Sequence, residues 1–412
     1  MRILLLTLYY PPDPAANSVI MGYLAQGLAD AGHEINVVCA FPHYDTNCIW
    51  PAYRGKLVQR EKVGKITVHR VWLYVPAHKA NLLGRLFGYI SFNALSTLIG
   101  LFVPRPDVII APSPPLTIGL SAWFLGLVRH APYIYNVQDI YPDVAIRLGA
   151  LTNRRAIAIF AWMERFVYRH ARAITVISEG FRRNLLDKGV SESKLVLVPN
   201  PVDAEFISPR PKDNAFARRE GLTDRFVVLF AGNVGLSQGL ESVLEAAKRL
   251  SNHERILFLI VGNGAARPEL ERLATSAGLR NVRFLDFQPR EILPEIYGAA
   301  DICLVPLRRG IAFASVPSKA LTCMAAARAI VASVDPQSDI WYTIQQAACG
   351  VCIPPEDPQA LAQSILELYQ DDARRVLMGE NGRQYVLAHS TPQIMVQRYV
   401  SIAEENSPIM LG

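Results

Sequence analysis

The sequence predicts an α/β protein made of two successive Rossmann-like domains, each a parallel sheet wound by crossover helices. Three observations carry this. At 412 residues the chain exceeds what one hydrophobic core ordinarily serves, with about 100–200 residues per domain being usual. Short apolar runs alternate with helical stretches along the whole length, the pattern of repeated βαβ units. The alternation breaks at Val198-Pro199-Asn200-Pro201-Val202-Asp203 and the proline-bearing, charged stretch that runs on to residue 219.

Strands of the first half are expected at 3–8, 34–39, 66–71, 108–111, 133–137 and 173–177. In the first of these, only four apolar residues follow Arg2 before the run is interrupted, and Tyr9-Tyr10-Pro11-Pro12-Asp13 comes soon after. That reads as a buried strand and its turn rather than a secretory leader, and so as a cytoplasmic protein. The loop from Tyr9 to Ser18 leaves the carboxyl end of this strand, where α/β proteins bind ligands. Asn17 and Ser18 stand at the start of the next helix and can donate from it. Residues 86–103, LFGYISFNALSTLIGLFV, run 18 residues without a charge between Arg85 and Arg105, at the lower limit for crossing a bilayer. A crossing helix, a buried crossover helix and a helix lying in the membrane interface all fit. A second apolar helix at 120–128, closed by Arg129 and His130, favours interfacial contact, with Lys79, Arg85, Arg105 and Arg129 at the helix ends.

The strand end Asn136-Val137-Gln138-Asp139-Ile140-Tyr141-Pro142-Asp143 gathers two acids, two amides and a tyrosine. Asp143 as a helix cap and Asp139 as a turn former would explain two of them, but convergence of several polar groups at a strand terminus favours a site. Ser178 and Glu179 read as caps, Asn200 and Asp203 as residues that fix the turn into the second half.

The second set of strands is expected at 226–231, 256–261, 282–286, 302–305, 330–333 and 350–353. After the first comes Gly232-Asn233-Val234-Gly235-Leu236-Ser237-Gln238-Gly239, a strand, glycine turn and helix start with the parts of a phosphate cradle; tight turns alone would also explain it. Between 301 and 334, Pro317-Ser318-Lys319 sits where loop becomes helix, so free amides, the helix dipole and a lysine meet at one place suited to a diphosphate. Neutral amides at 233 and 238 cannot neutralise phosphate, which leaves that to Lys319, with Arg308 and Arg309 nearby.

Lys and Arg outnumber Asp and Glu by 42 to 36, a net charge of +6. That suits an anionic small molecule or an anionic membrane surface. No basic run interleaved with aromatics points to nucleic acid. The six cysteines have no framework spacing. Cys349 and Cys352 form a CxxC within an expected strand, without a second pair for zinc, so no metal site is expected.

These motifs, in this order, resemble the retaining family 4 glycosyltransferases of the GT-B fold across nearly the whole chain. The carriers are the Tyr-Pro-Pro loop, Val137-Gln138-Asp139 with Pro142-Asp143, Pro199-Asn200 with Val202-Asp203, Val261-Gly262-Asn263-Gly264, Phe284-Leu285 and the Pro-Ser-Lys helix start. The Gln138-Asp139 form is similar to the subgroup that builds colanic acid, O-antigen and related polysaccharides. The resemblance implies two parallel-sheet domains facing an interdomain cleft: 1–200 for the acceptor, the domain that carries the expected membrane contact, 201–390 for a nucleotide-diphospho-sugar, UDP-sugar favoured, and 391–412 as a crossover helix and tail. It implies donor contacts from Gly232, Asn233, Gly235, Gln238, Gly262, Gly264, Phe287, Ser315, Pro317, Ser318 and Thr322. Asn17, Ser18 and Gln138 would serve the acceptor and phosphate loop, and Asp139 and Lys319 would be catalytic. The acceptor implied is a polyprenyl-diphosphate-linked sugar or glycan at the inner membrane face, and the sugar nucleotide is a co-substrate, with no cofactor. The sequence departs from the family at Ala15 and Ala16, which replace a glycine pair, at Asn233 and Gln238, which replace Arg and Lys, and at Ala314 and Thr322, which replace two glutamates. Those departures would also suit a GT-B partner subunit without catalysis, or a sugar-nucleotide epimerase or hydrolase.

Overall fold

The computed structural model describes residues 1–76, 82–147, 151–311 and 318–406. It divides into two compact units, one of residues 1–200 with 392–412, the other of residues 201–391.

The first unit contains β1 (Arg2–Thr7), α1 (Ala16–Asp30), β2 (Glu34–Ala40), β3 (Val58–Val63), β4 (Ile66–Val71), α2 (Leu82–Phe102), β5 (Val108–Pro112) and α3 (Ile118–Arg129). It continues with β6 (Tyr133–Val137), α4 (Asp143–Arg147), α5 (Arg154–His170), β7 (Ala173–Val176), α6 (Glu179–Asp187) and β8 (Leu195–Leu197). The sheet order is β3-β4-β2-β1-β5-β6-β7-β8, parallel throughout except that β3 runs antiparallel to β4. Ile3, Leu4, Leu5 and Leu6 of β1 are fully buried, as a central strand covered on both faces requires; each such side chain is worth about 1.5–3 kcal/mol. Asn153 and Ser178 cap α5 and α6 through their side-chain oxygens, satisfying amides that the first helical turn leaves unpaired.

Two strands lay outside the sequence expectation. β8 is only three residues long, and β3, Val-Gln-Arg-Glu-Lys-Val, is too charged to read as buried. As an edge strand β3 needs no apolar alternation. Glu61 instead meets Arg70 of β4 at 3.2 Å, and Arg70 donates to the Pro11 carbonyl at 2.6 Å, tying the sheet edge to the loop that follows β1.

The second unit contains α7 (Ala215–Arg219), β9 (Phe226–Ala231), α8 (Glu241–Arg249), β10 (Ile256–Val261), α9 (Arg267–Ser276), β11 (Val282–Leu285), α10 (Leu293–Ala299) and β12 (Ile302–Pro306). Then come α11 (Ser318–Ala325), β13 (Ala329–Ser333), α12 (Asp339–Gln346), β14 (Gly350–Ile353), α13 (Pro358–Gln370) and α14 (Asp372–His389). Its parallel sheet has the order β11-β10-β9-β12-β13-β14. The chain order reverses between β9 and β12, and crevices outside such a reversal are where open α/β sheets bind ligands.

The last helix, α15 (Pro392–Asn406), belongs to the first unit. Met395, Tyr399, Ile402 and Ala403 join its core, and Tyr399 hydrogen-bonds Thr175 of β7 at 2.9 Å.

α2 joins β4 to β5, and both strands lie in one sheet. A helix whose two ends rejoin the same sheet is a crossover and cannot traverse a bilayer, so the crossing reading fails. The buried reading fails in part. α2 has the length and composition of a membrane helix, yet only 22% of its apolar window is buried.

Candidate functional site

In the second unit the loops after β9, β10 and β12 converge at the reversal. Lys319, on the first turn of α11, points back over β9. Its Nζ lies 4.2 Å from the ring centre of Phe230 and donates to Gln238 Oε1 at 2.6 Å. Burial lowers its pKa to about 8, because an ammonium surrounded by carbon loses hydration. The glycine turn gives it room. A Cβ at Gly232 would stand 2.7 Å from Lys319 Cε, and one at Gly262 would stand 2.0 Å from the Gly232 carbonyl oxygen; both glycines have φ above +130°. No other residue type fits that approach.

Below the lysine the turns are laced together. Gly232 N donates to Val261 O at 2.9 Å, Val234 N to Asn263 O at 2.9 Å, and Gly262 N to Leu285 O at 3.0 Å. Arg267, at the start of α9, clasps the ends of two strands. Its Nη1 donates to the Gly262 carbonyl (2.8 Å), Asn263 Oδ1 (2.6 Å) and Asp286 Oδ1 (2.8 Å). Phe287, on the adjoining loop, is 76% exposed and offers an open ring. Arg308 is paired with Glu241 at 2.7 Å and Arg309 approaches Glu356 at 3.8 Å, so Lys319 is the nearby cation without a carboxylate partner among the described residues. Thr322 Oγ1 bonds the Ser318 carbonyl of its own helix at 3.3 Å. Ser315 and Pro317, with Ala314, lie outside the described residues, as does Lys79.

In the first unit the loops after β1, β2 and β6 bring a second set of groups together. Asp13 is buried; one oxygen accepts from His43 N at 3.0 Å and the other has no partner among the described residues. Burial raises its pKa, opposed by the amide and charge of His43. Both side-chain polar atoms of Asn17, and Ser18 Oγ, are likewise buried and unpartnered. Polar atoms left so are costly unless a ligand or water meets them. Beside them a cavity of about 230 Å³ is walled by Tyr9, His43, Tyr44, Arg85 and Tyr89. Arg85 donates to Tyr89 Oη at 3.1 Å and forms no ion pair among the described residues. Tyr141, from the loop after β6, is close enough to Arg85 for each to shift the other's titration.

Asp139 stands two residues earlier on that same loop. Burial raises its pKa to about 6, and no side-chain donor relieves it among the described residues. Gln138 is differently engaged. It exchanges two hydrogen bonds with Asn200 (2.9 and 2.7 Å) and donates to Asn136 Oδ1 at 2.8 Å. Asn136 continues the chain to Thr175, and Thr175 to Tyr399. Gln138 thus braces the turn at the end of the first unit.

Sequence reasoning missed the Asp13–His43 pairing, the place of Arg85 and the Phe230 platform. Phe230 reads only as core, and no local signal announces which loop will cover it. Asp13 could have been noticed as an acid lodged between two prolines in an otherwise apolar turn.

Residues 18–201 match the glycosyl transferase 4-like domain, and residues 212–385 match glycosyl transferases group 1. The chain is 30% identical over 375 residues to WcaI of Escherichia coli K12, assigned as a colanic acid biosynthesis glycosyl transferase, covering 89% of this chain and 91% of that one. It is 26% identical over 290 residues to WbjE of Pseudomonas aeruginosa, assigned as a glycosyltransferase, covering 68% and 72%. The crystal structure of Anabaena HepE with UDP is similar at a TM-score of 0.75 and 15% identity, covering 98% of this chain and all of that one. The first-unit and second-unit matches follow one another as the two Rossmann-like units do, and the chain belongs to the family 4 glycosyltransferases of the GT-B fold, in the subgroup of the colanic acid and O-antigen enzymes.

Proposed function

We propose that this transferase moves a sugar from a nucleotide-diphospho-sugar, with UDP the favoured carrier, to a hydroxyl of a lipid-linked or polysaccharide-precursor acceptor, retaining the anomeric configuration. The observation that carries the donor half is Lys319, held over Phe230 by a single neutral partner, Gln238. A diphosphate oxygen can replace that amide and offer the buried ammonium the negative charge it lacks. Solved structures of similar fold carry UDP and UDP-glucose in HepE, and UDP-2-fluoro glucose in an Escherichia coli trehalose-6-phosphate enzyme; they support the choice of base.

In the step proposed, the bond between the anomeric carbon and the diphosphate oxygen breaks while the acceptor oxygen bonds the same face of that carbon. The acceptor proton passes to the departing diphosphate. Lys319 and turn amides offset the charge that develops there, and ionised Asp139 accepts from the acceptor hydroxyl and orients it. The 230 Å³ recess with Arg85 and its tyrosines suits a phosphorylated glycan head.

The acceptor is proposed to be reached at the inner membrane surface. α2 exposes Leu86, Ile90, Leu98 and Phe102, and α3 exposes Phe124, Leu127 and Val128. On α2 two pairs stand four residues apart, Leu86 with Ile90 and Leu98 with Phe102, each pair neighbours on the helix surface, with arginines at the helix ends.

The test is a thermal-shift and transfer assay on wild type and Lys319→Ala. UDP and UDP-sugars are expected to protect wild type, and the variant to lose protection and at least 100-fold in transfer while keeping its circular dichroism. Wild-type turnover in the variant would overturn the donor assignment. Consumption of a sugar nucleotide with no acceptor would favour an epimerase or hydrolase instead.

A further inference from the structure

The first unit has a second recess, at the amino ends of β7 and β8, on the sheet edge opposite Asp139. There the last turns of α5 face the turn after α6 across a cavity of about 700 Å³ walled by Trp162, Arg165, Arg169, His170 and Lys194. Lys188 at its margin is already paired with Asp143 at 3.0 Å and Glu164 at 2.7 Å. Arg165, Arg169 and Lys194 form no ion pair among the described residues. Lys194 Nζ donates to the main-chain carbonyl of Arg169 at 2.7 Å, which holds the lysine at the end of α5. Burial and the charges of Arg172 and Arg169 lower the pKa of Lys194, as expected where cations crowd.

The recess also has an apolar lip. Trp162 is 57% exposed and Ile159, one turn earlier, 58%. Ring contacts run from Trp162 to Phe166 (5.5 Å) and from Phe166 to Trp123 of α3 (5.0 Å). This aromatic ladder joins the recess to the helix that carries Phe124, Leu127 and Val128. A cationic cup continuous with an exposed apolar face is the chemistry of an anionic amphiphile.

We propose that this recess binds the phosphate of an anionic phospholipid head group, anchoring the first unit at a point remote from its catalytic edge. The assignment rests on the membrane-facing reading of α2 and α3. Arg165 and Arg169 hold the phosphate, Lys194 supplies further charge, and Trp162 lies among the acyl glycerol groups.

The experiment is co-sedimentation of the full-length protein with phosphatidylcholine vesicles, with and without phosphatidylglycerol. Arg165→Gln/Arg169→Gln is the variant, both side chains being exposed and the fold checked by circular dichroism. Phosphatidylglycerol is expected to tighten wild-type binding, and the double variant to bind those vesicles on the order of 30-fold more weakly while keeping wild-type binding to phosphatidylcholine alone. A double variant that responds to phosphatidylglycerol as wild type does overturns the proposal. So does inorganic phosphate that quenches tryptophan fluorescence in wild type alone and displaces the protein from vesicles, which would make the ligand a free anion. Wild type that sediments with neither vesicle rejects the membrane-facing reading itself, and this inference with it.

Discussion

At Lys319 the same burial governs stability and ligand binding. A bound diphosphate favours the ammonium and so raises its pKa, and binding above pH 8 must then take up a proton. UDP affinity, measured by titration calorimetry, is expected to be flat below pH 7 and to weaken toward tenfold per pH unit above about 8, a dependence that Lys319→Met removes. The stability sign follows from the depressed value. Between about 8 and 10.5 the unfolded chain binds more protons than the folded one, so this group's contribution strengthens as pH rises through that window and is lost on descent. Asp139 has the opposite sign. Its pKa is about 6 against 3.8 for an exposed carboxyl, so the folded protein binds more protons there and its stability declines as pH rises through that interval. In the proposed step Asp139 acts in its ionised form, so kcat/KM is expected to climb to a plateau above about pH 6. Asp139→Asn should abolish that limb and lower kcat on the order of 100-fold. A variant that kept both the limb and the rate would remove Asp139 from the mechanism.

Among the elements, α1 and α15 pack so closely that a Cβ at Gly27 would lie 2.3 Å from Val396 Cγ2. Gly27→Ala is expected to cost about 1–3 kcal/mol in denaturant unfolding, despite the better helix propensity of alanine. Val396→Ala should recover most of that loss in the double variant, since the two changes share one contact. If they add without interaction, α15 does not dock as described. Most other elements were legible beforehand, because apolar runs, helical spacing and breaks are local properties of the chain. β3 was not, because an edge strand is defined by the neighbour it has and the one it lacks. The lysine at the start of α11 was legible, whereas its Phe230 platform was not. Gln138 looked like a ligand residue because its partner Asn200 is 62 positions away.

Across the whole molecule, a net charge of +6 and the exposed apolar side chains of α2 and α3 point to the same kind of surface. Leu98→Ser/Phe102→Ser changes two side chains that are 49% and 78% exposed, so the fold should hold while binding to phosphatidylglycerol-containing vesicles drops by tenfold or more. A variant that sediments as wild type does would show these side chains to face water. By itself the sequence determined two α/β units, where their strands run, apart from β3 and β8, and that a lysine would open a helix beside a glycine turn. Each of these follows from the order of residues within a few turns of one another. The tertiary structure alone decided that α2 returns to the sheet it left, that Gln138 braces Asn200, and that Lys319 loses hydration over Phe230. These depend on strand order, β9 beside β12 and β5 beside β1, which brings distant segments together and sets what each side chain meets.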